Sequence, residues 1–376
     1  MDFSLTDDQI MIRDAAADFL AQTSDSAAVR AVLESEAGFD PHLWDQLSTE
    51  LGWCATSIPE DFGGLGLGQV ELALLLEQMG RRQICAPFFS TVALAVTALL
   101  EAGSDAAKRH WLPLIAAGEL RATLALAGQG VRLDAPGVQA RLQADGRWEL
   151  NGELAHVPDG ATAELLLVVA RVEDHGLALF AVADQAVGLR RFPLQTWDQT
   201  RRIARVSLQG VTLDATARVD SASLSLGTLE RIEARAALLL AAEQLGGAQQ
   251  CLDMSLAYVA ERSQFGQKVA AFQAVKHRCA QMMVDIEATR SLVYGAAALA
   301  DSEGDAVSIR LESGAAKARA SETFFFCAQE AIQLHGGVGF TWEYDPHLYF
   351  KRAQAGTHWL GTPDQWRERI ASSLLD

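Results

Sequence analysis

Three long stretches towards the C-terminal end restrict this chain most. Roughly Leu224–Arg262, Ala270–Ser302 and Ser308–Leu334 keep a helical period, with short breaks between them. Helices of that length, joined by short connections, fold back on one another as an antiparallel bundle. The preceding region reads differently. After Glu119 come short apolar or alternating runs at Ala122–Ala127, Val138–Gln143, Trp148–Leu150, Glu164–Ala170, Leu177–Ala183 and Ile203–Leu208, separated by Gly, Asp and Pro. That pattern predicts a small antiparallel β-domain, with a hairpin turn at Asp145-Gly146. Before Glu119 the period is helical again. Thr6-Asp7-Asp8 starts a first helix with Ile10, Ile12, Ala15, Phe19 and Leu20 on its apolar face. Trp44–Leu51, Val70–Gly80, Ser90–Glu101 and Ala106–Ala117 follow, and Ser57–Gly68, rich in Gly and Pro, forms a shaped loop.

A net charge of −17, with acids spread along the chain, argues against nucleic acid or an anionic membrane as partner. A local group of basic residues can still hold a polyanionic ligand. The five cysteines are far apart without metal-like spacing, so they read as small buried hydrophobes and no metal is expected. The acidic, polar start MDFSLTDDQIMIRD is neither a secretory signal nor a transit peptide, and no apolar run reaches membrane-spanning length. The expected location is the cytoplasm.

Two places are oddly furnished for a plain bundle. At the break between the first two long helices, Gln264-Phe265-Gly266, Gly266 suits a helix stop, and Phe272, Val275, Cys279 and Met282/Met283 predict a buried face beyond it. Arg262 and Gln273 stand at this corner where Ala or Leu is the usual choice. A planar cation and an amide beside an exposed Phe suit a flat anionic ligand. The second place is Ala331–Gln354, where Gly336-Gly337 follow a helix. Such glycines ordinarily cap a helix. Here Gly339, Phe340, Trp342 and Lys351-Arg352 come next, and residues without Cβ let backbone approach a phosphate or a ring.

With these residues in view, the chain resembles the flavin-dependent acyl-CoA dehydrogenases over nearly its whole length. The resemblance is carried by Ile58-Pro59-Glu60 with Gly63-Gly64 and Gly66, Glu77 with Gly80, and Leu112-Pro113 with Gly118. It continues through Arg262 with Gln264-Phe265-Gly266, Phe272-Gln273, and Gln333 with Gly336-Gly337 and Gly339-Phe340. It implies an α+β fold with an N-terminal helical domain at 1–120, a middle antiparallel β-domain at 121–222 and a C-terminal four-helix bundle at 223–376. It implies FAD, an acyl-CoA substrate and an electron-transferring flavoprotein as acceptor, in a homodimer, a homotetramer or a heterotetramer with a sister subunit. By position, Arg262 resembles the arginine at the flavin pyrophosphate, Phe265 the aromatic by the adenine or ribose, and Gln273 a cofactor-contacting amide. Gln333, Gly336 and Gly337 resemble the element that reaches the neighbouring subunit's cofactor. The implied reaction is α,β-desaturation: a carboxylate takes the α-proton and the β-hydrogen leaves as hydride.

The departures are as informative. The usual base is the Glu of a Glu-Gly-Thr loop, and that loop falls on Leu360-Gly361-Thr362. The alternative location, early in the first long helix, falls on Ala236. The nearest acid is Glu243, two helical turns further on, and either a structural pairing or the catalytic role accounts for it. Glu230 and Glu233 are weaker candidates near the helix start. The family's hydroxyl-rich flavin-contacting stretch corresponds to Ala125–Gly137, which lacks those hydroxyls, and the aromatic-Ile-Ser/Thr element corresponds to Leu154-Ala155-His156-Val157-Pro158. His156 reads more simply as a surface residue. These losses, with AAEQLGGAQ, Asp198–Arg201 and FTWEYDPHLYFKRA, resemble a divergent branch acting on bulky, dicarboxylic or sterol side-chain CoA thioesters. In some of its unlike-subunit pairs one chain lacks the base.

Overall fold

The computed structural model describes residues 5–126, 133–173, 176–221, 224–302 and 304–375. They gather into two compact units, each discontinuous in sequence: residues 1–33, 69–84 and 237–376 form one, and 34–68 with 85–236 the other.

In the first unit, α1 (Asp7–Thr23) begins with a reciprocal cap in which Thr6 and Gln9 satisfy each other's backbone N–H groups. Its buried residues are Ala16 and Leu20, whereas Ile10 is exposed. The expected apolar face is therefore rotated and narrower. It packs on α4 (Gln69–Arg81), which is buried along most of its length, and Gln9 in its first turn donates to Glu71 of that helix at 2.8 Å. The long helices are α7 (Leu226–Glu261), α8 (Gln273–Asp301) and α9 (Ala306–His335), and the shorter α10 (Pro346–His358) and α11 (Pro363–Leu375) pack on α9 and fill out the bundle. Two glycines let α4 and α7 cross almost backbone to backbone. A Cβ at Gly80 would overlap the carbonyl of Glu243, and one at Gly246 would overlap that of Glu77.

Helix α2 (Ser26–Glu34) belongs to the first unit through Leu33; the helices of the second unit include α3 (Pro41–Asp45), continued by a π-helical turn at Gln46–Glu50, α5 (Thr97–Ala102), preceded by π-helical Phe89–Val96, and α6 (Asp105–Ala116). The Ser57–Gly68 loop is shaped as expected: Leu65, Gly66 and Leu67 donate backbone hydrogen bonds to Ala55, Ile58 and Thr56, each at 2.9 Å. The sheet has seven strands, β1 (Ala122–Ala125), β2 (Val138–Leu142), β3 (Trp148–Pro158), β4 (Leu165–Val172), β5 (Gly176–Ala183), β6 (Leu189–Pro193) and β7 (Ile203–Leu213). Its order is β1-β4-β2-β3-β7-β6, with β5 on the other side of β4. Trp148 and Phe180 meet edge to face at 5.2 Å in its core.

The sheet is mixed rather than antiparallel. β1 and β2 both run parallel to β4, Ala122 facing Leu165 and Gln139 facing Arg171. The reason is connectivity. β1 rejoins β4 only after the β2–β3 hairpin, and that long excursion is the crossover a parallel pair requires. The hairpin itself turns at Asp145-Gly146, with Gly146 at φ 85°. Strand β6 has no counterpart among the sequence-predicted strands, because Leu-Arg-Arg-Phe-Pro at a sheet edge shows no clear alternation.

Candidate functional site

The corner that stood out in the sequence is built by a tight hairpin. α7 ends at Glu261, and Ser263–Gln264 pairs with Gln267–Lys268 as a two-stranded ribbon, β8 and β9. Phe265 and Gly266 form its two-residue turn with φ 52° and 77°, so Gly266 serves the turn rather than stopping the helix. A left-handed aromatic residue costs about 1–3 kcal/mol of strain. The conformation throws the Phe265 ring outward, 91% exposed, with the Phe272 ring edge-on at 6.3 Å. Arg262 and Gln273 are exposed on either side. Along α8, Cys279 and Met282 are buried, whereas Met283 is exposed and Phe272 and Val275 are half-buried. The face read as core is therefore core only from Cys279 onward.

The end of α9 offers a matching surface. Gln333, Gly336 and Gly337 are exposed, Gly336 takes φ 65°, and nothing lies where a Cβ on either glycine would project. Phe340 stands 71% exposed after them. Within one chain this end is tied to the end of α7: the Tyr258 ring stacks on His335 at 4.4 Å, and Tyr344 packs edge-on against both. His335 is anchored by its Nδ1 to the Ala331 carbonyl, 2.6 Å away, and burial depresses its pKa, so the ring is held neutral. The aromatic stack thus fixes the directions in which the Arg262 corner and the two glycines face.

Both positions at which the resemblance puts a base are buried. Ala236 is fully buried and apolar. Leu360 is buried at φ 53°, its carbonyl accepting from Trp366 Nε1 at 2.9 Å, and Gly361 follows at φ 91°. Lys317, wholly buried, holds the same loop. Its Nζ donates to Ser321 Oγ at 2.7 Å and to the carbonyls of Gly356 and Gly361 at 3.1 and 3.3 Å. Burial pushes this ammonium down to about 7. The loop is thus fully constructed, but carries an aliphatic side chain.

Glu243 is 5% exposed and pairs with buried Arg352, whose Nε lies 3.1 Å from Oε1. Glu233 is buried as well, and His156 is exposed on β3. The Asp198–Arg201 motif folds on itself, Asp198 accepting from the backbone and the hydroxyl of Thr200. Arg201 lies over the Phe89 ring at 4.8 Å. Of the hydroxyl-poor stretch Ala125–Gly137, residues 127–132 lie outside the described residues. No metal-holding cluster occurs among the described residues, nor any helix long and apolar enough to cross a membrane.

One polar network has no warning in the sequence. Glu77 accepts from Arg290 and from the hydroxyl of Tyr294 at 2.6 Å, and Arg290 also donates to Gln249 at 3.0 Å. An acid inside the apolar run LALLLEQMG is the only hint, and it does not name the partners.

Sequence and structure comparisons agree on what this chain is similar to. Residues 6–119 match the model described as acyl-CoA dehydrogenase, N-terminal domain, and residues 233–375 the model of the C-terminal domain. Acyl-CoA dehydrogenase IpdE2 of Mycolicibacterium smegmatis is 31% identical over 99% of this chain and 100% of its own length. IpdE2 of Mycobacterium tuberculosis is 32% identical over 97% of each. Among solved structures, the Tcur3481-Tcur3483 steroid ACAD variant matches with TM-score 0.87 and 31% identity over 98% of both chains. The ChsE4-ChsE5 complex from Mycobacterium tuberculosis matches with TM-score 0.90 and 26% identity over 100% of this chain and 99% of that one.

Proposed function

The chain belongs to the acyl-CoA dehydrogenase family, oxidoreductases that act on CH–CH groups and bind FAD, and from that premise we propose that it is the flavin-holding subunit of a heteromeric enzyme whose sister chain supplies the base. The reaction is α,β-desaturation of an acyl-CoA thioester. A steroid-derived acyl group is supported by the 31% identity to the protein named a steroid ACAD. Electron-transferring flavoprotein is the proposed acceptor.

Leu360 carries this reading. It occupies the base position of a loop whose backbone is otherwise held by Lys317 and Trp366. An aliphatic side chain takes no proton, so the carboxylate must come from elsewhere. Glu243 is the alternative within the chain. Its pairing with Arg352 argues for structural anchoring, because a carboxylate already neutralised by a buried guanidinium is a poor acceptor for a carbon-bound proton.

FAD, when bound, supplies the two-electron acceptor for the β-hydrogen. The residues present suit it. Arg262 offers parallel donors for pyrophosphate oxygens, Phe265 an uncovered ring for the adenine or ribose, and Gln273 and Gln333 amides that meet polar edges. Gly336 and Gly337 admit close backbone approach, as their open Cβ positions require.

The test compares the chain purified alone with the chain co-purified with a sister dehydrogenase chain. Visible flavin absorbance and its bleaching by a steroid acyl-CoA are read in both. Bleaching is expected only in the pair, and Glu243→Gln is expected to leave it intact there. Bleaching by the lone chain, lost in Glu243→Gln, would instead make Glu243 the base and the chain self-sufficient.

A further inference from the structure

A cleft of about 370 Å³ opens between α1, α4 and α8, within the first unit. It serves neither the flavin surface nor the loop of Leu360. Four guanidinium groups line it, Arg13, Arg81, Arg82 and Arg290, against the carboxylates of Asp14 and Glu77. In a chain of net charge −17 that local balance is unusual.

Two of the four are committed. Arg290 is held by Glu77, which is buried, and Arg81 Nη2 lies 2.6 Å from Asp253. The other two are available. Arg82 makes no side-chain hydrogen bond or ion pair among the described residues. Among the described residues Arg13 pairs with its sequence neighbour Asp14, whose side chain is 58% exposed, and such exposed pairs contribute little.

Gln78 supplies an independent observation. It is 4% exposed and lines the cleft, yet its amide makes no hydrogen bond among the described residues. Its amide atoms are not among the fully buried unpaired atoms of the described residues, so the amide faces the open cleft, where it can donate to a ligand. Arg81 and Arg82 also complement the C-terminal dipole of α4, but that role gives Gln78 no purpose. Donors converging from separate helices suit a tetrahedral oxyanion better than a planar carboxylate.

We propose that this cleft binds a phosphate group, as inorganic phosphate or as a small phosphate monoester. Arg82 and Gln78 grip the phosphate, Arg13 closes over it, and the Glu77–Arg290–Tyr294 network forms the floor.

Calorimetric titration of the full chain, with its sister chain if they purify only together, tests this. Inorganic phosphate and glycerol 2-phosphate are titrated at ionic strength matched with sodium chloride; neither carries a nucleobase, so the coenzyme surfaces do not select for them. Saturable binding is expected, weakened at least tenfold by Arg82→Gln and by Gln78→Leu. Tighter binding of the monoester identifies an organic phosphate, and equal affinity the inorganic ion. Absence of saturable binding overturns the proposal, as does a Kd unchanged in both variants. If those variants do not fold, as read by circular dichroism, Arg13→Gln at the cleft rim decides in the same way: a raised Kd supports the site and an unchanged one rejects it.

Discussion

The end of α7 and its middle present opposite solutions to handling polar groups. Around Arg262 the chain leaves things open: an uncovered ring, two glycines with empty space beside them, and exposed amides. Around Glu243 and Leu360 it buries what it places there, with aliphatic side chains and the Glu243–Arg352 ion pair, though Gln244 Nε2 is buried without a partner among the described residues. An open surface retains unspent donors and apolar area for a ligand, whereas in the buried stretch the Glu243 carboxylate is already engaged by Arg352. The contrast supports cofactor binding by this chain and a base from another.

The sharpest way to break the comparison is Arg352→Met. If the Glu243 pair is structural, the variant strands a buried carboxylate and loses about 3–5 kcal/mol of stability, read by urea unfolding. A small loss would mean Glu243 tolerates being unpaired, as a working base must. At the open end, Arg262→Ala should remove a charge-assisted contact of about 1.5–3 kcal/mol, raising the FAD Kd tenfold to a hundredfold or more while leaving the melting temperature of the flavin-free chain unchanged.

Lys317 gives a prediction in pH. Its folded pKa, about 7, lies below its unfolded value. Between those values the unfolded chain binds the extra proton, so stability should rise as pH is raised through that window. Lys317→Met should flatten this rise. An unaltered slope would show that the ammonium stays charged against its three acceptors. The smallest effect is expected at Phe265→Asn, which relieves left-handed strain and should gain about 0.5–1 kcal/mol in the flavin-free chain while weakening FAD. A gain without loss of affinity would detach the ring from the cofactor.

Helix against strand was legible because periodicity reports burial, and α4, α7, α8 and α9 bury continuous stripes. Gly80 and Gly246 were visible only as glycines; that they let two backbones touch depends on a crossing between helices far apart in sequence. Direction in the sheet was not read for the same reason, since pairing between β1 and β4 joins runs far apart in sequence and both are continuously buried. Met283 and Ile10 misled because helical spacing marks a face but not whether the same chain covers it. Of the site, the open half was legible through residue types too polar for their setting. Arg352 as the partner of Glu243, and Lys317 beneath the Leu360 loop, were not, because pairing across a bundle leaves no local trace.

The hairpin tip has one further consequence. The uncovered Phe265 ring is present in the free chain, and a nucleotide and a protein surface that cover it together, in contact with one another, favour each other's binding, while the backbone strain stays. A nucleotide and a neighbouring protein surface that share this tip are therefore thermodynamically linked, each raising the other's affinity by the same factor. Cofactor loading and subunit association would then be one equilibrium measured by two probes, with the apparent flavin affinity rising with protein concentration.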